Sequence, residues 1–300
     1  MRKVALRPHA LLPRQYDDQK ILRTTVDAWG RALWLICPNA ELSPDYPGGR
    51  PYLRPRKYPY EALLVIGDGG TIRKQILHDV TVRVTGLDAL PNGRFLLKGY
   101  GAEEEKNAQI YGRDGRRRSS FEMGRGIEFM MADRRHHVWS AYFDEGVFSG
   151  DPISANGVVR WDSGGNQQWG YSPPKGVRPI DDVYAFNVDD GVAWASYYNY
   201  PTFPLLEART DGRVRLRKTP VVAPRGMAVH GDEIVMLGGN RQQDRLHRCH
   251  MTEGEVLLIK EACLTFPNGT PLKQYARPVG RGRHLYLYGK TRRQWYVMEI

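Results

Sequence analysis

Residues 126–172 read GIEFMMADRRHHVWSAYFDEGVFSGDPISANGVVRWDSGGNQQWGYS, and this stretch divides into four short strand-like runs. GIEFMMAD (126–133) is almost continuously apolar, as expected of an inner strand. HVWSAYF (137–143) is rich in aromatic and β-branched residues. GVVRWD (157–162) and QQWGYS (167–172) flank a Gly164-Gly165 turn and predict a hairpin. The same punctuation recurs along the chain at Asp68-Gly69, Asp114-Gly115, Asp211-Gly212 and Glu253-Gly254. The second residues of the five turns fall at 69, 115, 165, 212 and 254, which gives steps of 46, 50, 47 and 42 residues. A repeat of that length, built of strands, predicts a β-propeller with four-stranded antiparallel blades.

The last repeat, from Gln274, supplies only YARPVG, HLYLYGK and RQWYVMEI before Ile300. The leading segment KVALRPHALL (3–12) has no partners of its own. Placed as the fourth strand of the last blade, it closes the ring and removes two exposed edges. The expectation is therefore an all-β, six-bladed propeller forming one domain over residues 1–300. A seventh blade would have to lie in 38–60, which is too rich in proline for a strand quartet.

Composition narrows the classes. The 300 residues are 41% hydrophobic, enough for a large core, and no apolar run approaches the roughly 20 residues of a membrane span. The N-terminus is broken by Arg7, Pro8 and His9 and reads as a strand rather than a signal peptide. Three cysteines without regular spacing (Cys37, Cys249, Cys263) suit reduced thiols in a cytoplasm. The net charge of +11 admits a polyanionic partner. The arginines that carry it, including Arg94, Arg116, Arg117, Arg118, Arg134, Arg135, Arg213, Arg281 and Arg283, fall in short A-to-B and C-to-D turns. They predict a solvated charged face. With no aromatics among them, any nucleic-acid binding would be non-specific.

The opposite face carries the longer loops. These include 38–60 with Tyr46, Tyr52, Tyr58 and Tyr60, 144–157 with Phe148 and Asp151, and 197–203 with Tyr198 and Tyr200. Aromatic loops on a rigid frame predict a ligand mouth. The starts of the inner strands enter the channel there with Arg23, Glu128, Asp181, Asp182, Arg225, Gln274 and Arg277. Glu128 and Asp182 are the candidate catalytic acid and base. Arg23, Tyr142, Asp144, Tyr197, Tyr198, Arg225 and Tyr275 are the candidate ligand-binding residues, with the tyrosines walling the opening.

No cofactor and no metal are expected. Asp144 and Glu145 offer oxygen ligands for Ca2+ on a glycine-containing loop, but lack the spacing of a calcium loop and read as a solvated turn. His247, Cys249 and His250 belong to an extended strand whose alternation sends His250 to the other face, which argues against zinc. A nucleophile elbow, a P-loop, a dinucleotide glycine fingerprint and an HExxH motif are all missing from the sequence.

GIE, VWSAYFDEGVF, GVVRWD, GYSPPKG and PIDDVYAFNV, within 124–204, resemble a group of uncharacterised bacterial propeller-like proteins. Relatives in that group tend to carry an acidic residue after the GIE glutamate. Phe129 stands there in this chain, which implies a more apolar channel. In plan the repeat array is also similar to streptogramin lyases and gluconolactonase-like propellers, whose catalytic and metal residues find no counterparts here. Three functions stay open: lyase- or hydrolase-like binding of a small organic molecule at the loop-rich mouth, a protein-interaction scaffold, and a polyanion binder. The oligomeric state is not legible.

Overall fold

The computed structural model describes residues 1–38, 42–43, 54–55, 57–99, 106–239, 242–272, 278–289 and 291–300, the pairs 42–43 and 54–55 by backbone only. The N-terminal segment forms β1 (Lys3–Ala5) and β2 (Arg7–Leu11). The first sheet comprises β3 (Gln19–Val26), β4 (Ala32–Pro38), β7 (Tyr60–Asp68) and β8 (Thr71–Val80), with a two-stranded ribbon, β5 (Leu42–Ser43) and β6 (Arg54–Pro55), between its second and third strands. The second sheet is β9 (Gly86–Leu90), β10 (Arg94–Lys98), β11 (Ala108–Tyr111) and β12 (Arg117–Phe121). The third is β13 (Ile127–Ala132), β14 (His137–Tyr142), β15 (Val158–Asp162) and β16 (Gln167–Gly170), with a short helix α1 (Asp144–Val147) after β14. The fourth is β17 (Asp182–Asp189), β18 (Val192–Tyr198), β19 (Leu205–Arg209) and β20 (Val214–Arg217). The fifth is β21 (Gly226–His230), β22 (Glu233–Leu237), β23 (Arg245–Met251) and β24 (Val256–Thr265). The last holds β25 (Pro278–Arg281), β26 (His284–Tyr288) and β27 (Gln294–Glu299). These antiparallel sheets resemble propeller blades, and the repeat read from the turns is the repeat of the sheets.

An aspartate closes several of the turns between strands. Asp27 Oδ1 accepts from the backbone N–H groups of Trp29 and Arg31, both at 2.9 Å. Asp133 does the same for Arg135 and His137, and Asp162 for Gly164 and Asn166. The side chain replaces the missing ladder partners of a tight turn. Gly115 is fixed for a second reason. It sits at φ +73°, and a Cβ there would run into the carbonyl oxygen of Ile76 on β8. The turn of the second sheet thus presses directly on the outer strand of the first.

Each sheet shares an apolar core with the next. Leu64, Leu77 and Tyr111 belong to the core between the first and second sheets, and Trp139, Phe186 and Leu206 to that between the third and fourth. A further core joins the last sheet to the first through Trp295, Tyr286, Trp34, Val65 and Leu12. Trp295 Nε1 reaches across it to donate to Thr24 Oγ1 at 2.8 Å.

The N-terminal segment departs from expectation. Only β2 pairs with β27, antiparallel, as the fourth strand of the last sheet. β1 pairs instead in parallel with β24 of the fifth sheet, matching Lys3 to Cys263 and Ala5 to Thr265. The switch occurs at Leu6, whose N–H donates to Thr265 O at 2.8 Å while its side chain enters the core between the fifth and last sheets. Pro8, lacking an N–H, is tolerated because β2 lies at a sheet edge.

Arg281 corrects a second expectation. It lies not on an exposed basic face but buried among the inner strands, donating to Val26 O (2.9 Å), to Ala132 O (2.8 Å) and to the buried Asp88 carboxylate (2.7 Å). Beside it, Asn187 Nδ2 donates to Met227 O and Gly282 O, and its Oδ1 accepts from Gly282 N. The inner strands β17 and β25 pair in parallel at this level, Asn187 with Gly280 and Val188 with Arg281. One end of the inner-strand array is therefore packed and paired.

Candidate functional site: an acidic and aromatic cluster

The other end of the inner strands is built differently. The pairing of β13 with β14 slips between Ile127 and Phe129, which leaves Glu128 as an extra residue. The pairing of β17 with β18 slips in the same way between Val183 and Ala185, at Tyr184. A bulge of this kind re-aims the side chain that it frees. The helix α1 folds back onto the start of β13, and the approach is so close that a Cβ at Gly126 or at Gly146 would strike the backbone opposite. Glycine at both positions brings Asp144, the first residue of α1, toward the entrances of β13 and β17.

The electrostatics show the result. Burial, and after it the charges of Asp144, Glu128 and Asp181, together raise the Asp182 carboxyl to about 6. Tyr184 is pushed up by burial, then by Asp182, Asp144 and Tyr198. An aromatic group stands alongside. The ring of Phe203 meets Tyr184 edge-on at 5.2 Å and Tyr198 at 5.0 Å, and Tyr198 meets Tyr200 at 6.2 Å. Tyr184 and Tyr200 remain exposed. On the second sheet the buried Lys98 donates from Nζ to Ile127 O at 2.5 Å, immediately before Glu128.

Of the residues expected to form a site, Glu128, Asp144, Asp182 and Tyr198 come together here. Tyr142 and Tyr197 do not wall the opening. Both are fully buried. Tyr142 Oη donates to Met123 O at 2.6 Å and shares a hydrogen bond with Ser140 Oγ at 2.9 Å, in the core between the second and third sheets. Tyr197 packs on Tyr171 between the third and fourth sheets. Burial pushes both phenols up. On β18 the pleat sends alternate residues to opposite faces, so Tyr198 takes the face that Tyr197 leaves.

Arg225 runs along its own sheet, its side chain against Gly238. Burial lowers it to about 10, and the charge acting against that is Asp244. Arg23 lies on β3 directly after another slipped position. Tyr275, with Gln274 and Arg277, lies outside the described residues, as do Tyr46 and Tyr52. Tyr184, Phe203 and Lys98 were missed by sequence reasoning. Lys98 ends a second strand, as Tyr142 and Tyr198 do, and that shared position was the available signal.

Among the described residues, no group of three or more His, Cys, Asp and Glu side chains is placed to hold a metal ion. β23 carries His247, Cys249 and His250 as a strand, with Cys249 buried and His250 exposed. All three cysteines are free thiols. Among the described residues, no helix is long and apolar enough to cross a membrane.

The turn arginines are largely matched on site. Arg134 pairs with Asp190 at 2.7 Å, Arg118 with Asp114 at 2.7 Å, Arg213 with Asp211 at 2.6 Å and Arg283 with Glu299 at 3.1 Å. Arg94 donates to Ser163.

No family model matches the chain, and no curated protein matches it. Solved structures match in fold. Kuenenia stuttgartiensis hydrazine synthase is similar with a TM-score of 0.53 at 11% identity, over 92% of this chain and 82% of that one. A streptogramin B lyase structure is similar with a TM-score of 0.51 at 13% identity, over 98% and 97%. A chain of the mitotic checkpoint complex is similar with a TM-score of 0.51 at 9% identity, over 98% and 93%. At such identities the resemblance is distant and is one of fold. The likeness in plan to streptogramin lyases is found at that level, and the 124–204 pattern is matched by no family model.

Proposed function

We propose that the chain binds a small organic molecule bearing a cationic group at the end of the inner strands where Glu128, Asp144 and Asp182 gather beside Tyr184, Tyr198 and Phe203, and that Asp182 serves there as the acid–base residue of a lyase- or hydrolase-like reaction. The observation that carries this reading is the Asp182 carboxyl raised to about 6 by burial and by three neighbouring carboxylates. A carboxyl near 6 gains and loses its proton close to neutral pH, as a general acid or base must. The like charges favour a cation as occupant, and aromatic faces stabilise one by their quadrupole. Glu128 is assigned to hold the ligand's polar group from the neighbouring inner strand.

The frame for this site is, in our reading, a single domain in the form of a six-bladed ring. The pairing of β2 with β27 and the core joining the last sheet to the first support that closure. The free thiols Cys37, Cys249 and Cys263 support a reducing compartment such as the cytoplasm.

Calorimetric titration with small primary and quaternary ammonium compounds, each against its uncharged carbon isostere, tests the reading. Binding of the cations alone is expected, weakening as pH falls through about 6 and lost in Asp182→Asn. Equal binding of the isosteres, or cation binding that Asp182→Asn leaves intact, overturns it.

A further inference from the structure

We infer that a polar cleft at the outer edge of the second sheet is a binding site for a small molecule carrying a phosphate or sulfate group, held by Lys106, Arg117 and the hydroxyl of Thr81. The cleft has a volume of about 470 Å³ and is lined by Thr81, Lys106, Gln109, Arg117 and Arg118, with Ser119 and Ser120 adding two hydroxyls. Among the described residues three cations line it and no carboxylate does. Asp114 pairs with Arg118 from the turn, and Asp79, whose charge reaches Tyr111, is not part of the lining. This composition differs from that of the cleft between the fourth and fifth sheets, where Arg134, Arg209, Arg215 and Arg217 face Asp189, Asp190, Glu207 and Asp232.

The hydrogen bonds give the cleft a direction. Gln109 is buried, and its Oε1 accepts from Thr81 N and from Tyr111 Oη at 2.9 Å. Because a backbone N–H can only donate, this orients the amide and turns Nε2 toward Thr81 Oγ1, to which it donates. Arg117 Nη1 donates to the same oxygen at 2.9 Å. Thr81 Oγ1 therefore accepts twice, and its own hydrogen is left to donate elsewhere. The Arg117 guanidinium keeps further N–H groups beyond the one spent on Thr81, and neither it nor Lys106 has a carboxylate partner among the described residues.

The lining thus carries three cations with hydroxyl groups around a buried amide. A tetrahedral oxyanion, with many lone pairs and fixed negative charge, is the complementary chemistry. The volume exceeds that of a free oxyanion and leaves room for an organic group attached to it.

The inference is independent of the acidic site and is tested apart from it. Inorganic phosphate and inorganic sulfate are titrated into the full chain at constant ionic strength, with chloride as the control, and followed by amide chemical shifts and thermal melting. Saturable shifts of residues around 81, 106–109 and 117–120 are expected with phosphate or sulfate and not with chloride. Lys106→Ala and Arg117→Gln should each weaken binding by about tenfold. Arg116→Ala, which removes the same charge outside the lining, should leave it unchanged. Lys106 carries no structural bond in the cleft, so loss of binding in Lys106→Ala with an unaltered melt is a result for the site and not for the fold. Phenyl phosphate and phenyl sulfate then separate the two ester classes. Equal shifts with chloride, equal losses in Arg116→Ala, or binding of heparin fragments with none of the small oxyanions would each overturn the assignment in favour of diffuse surface charge.

Discussion

The two ends of the inner strands treat charge in opposite ways. At one end Arg281 meets Asp88 at 2.7 Å and spends its other donors on the carbonyls of Val26 and Ala132, while Asn187 satisfies Met227 and Gly282. An opposite charge and two carbonyls answer the guanidinium and tie four sheets together, although burial still raises the Asp88 carboxyl. At the other end Glu128, Asp144, Asp181 and Asp182 are alike in sign, and burial first, then this repulsion, raises the Asp182 carboxyl. A fold does not need that repulsion. Paired charges read as structure, and the gathering of like charges is the feature on which the proposed site rests.

The largest effect expected is on the framework that both ends share. Deleting residues 1–12 removes β2 from the last sheet and takes Leu6 and Leu12 out of two cores. The loss should exceed about 5 kcal/mol in denaturant unfolding. A truncated protein that unfolds at the wild-type midpoint would show that neither end depends on the N-terminal strand.

Arg281→Met comes next. It leaves the buried Asp88 carboxylate without its partner and should cost about 3–5 kcal/mol. Adding Asp88→Asn to it should recover part of that loss, because the stranded charge is gone. No recovery in the double variant would mean that the carbonyl bonds, rather than the ion pair, hold this end.

Tyr142→Phe tests whether that phenol belongs to the core or to the opening. It removes the bond to Met123 O at 2.6 Å and should cost about 1–2 kcal/mol. Binding of a cationic ligand should not change. A stable Tyr142→Phe protein that loses ligand would return this residue to the site.

The smallest effect has the opposite sign. The folded value of Asp182, about 6, lies above its ordinary 3.8, so between these values the folded protein holds a proton that the unfolded chain releases. Stability from this group therefore rises as pH falls from about 6 toward 3.8, and at neutral pH the ionised carboxyl works against the fold. Asp182→Asn should stabilise the protein at pH 7.5 by about 1 kcal/mol, after allowance for solvent screening of a half-exposed group. At pH 4 the gain should vanish. A variant that is less stable than wild type at pH 7.5 would deny the like-charge conflict and with it the contrast between the two ends.

Much of this architecture is local and was therefore legible. Tight turns act over a few residues, and strand runs declare themselves by alternation and β-branched content, so the repeat steps from 69 to 254 were readable directly. The entrances of the inner strands, and with them Glu128 and Asp182, follow from the same spacing. What alternation cannot say is which face becomes core. Tyr142 and Tyr198 end equivalent strands, yet one lies buried against Met123 and the other joins the aromatic group at Phe203. Nor can a period of two foresee its own interruptions, and the slips at Glu128 and Tyr184 are such interruptions. Arg281 reads in the chain as one more turn arginine. Its partner Asp88 stands 193 residues away, and only the convergence of the inner strands makes the two neighbours. The sequence by itself determined most of the strands and the turns between them, because those depend on contacts a few residues apart. The tertiary structure alone decided which distant charges would meet, because that depends on which distant strands are brought together.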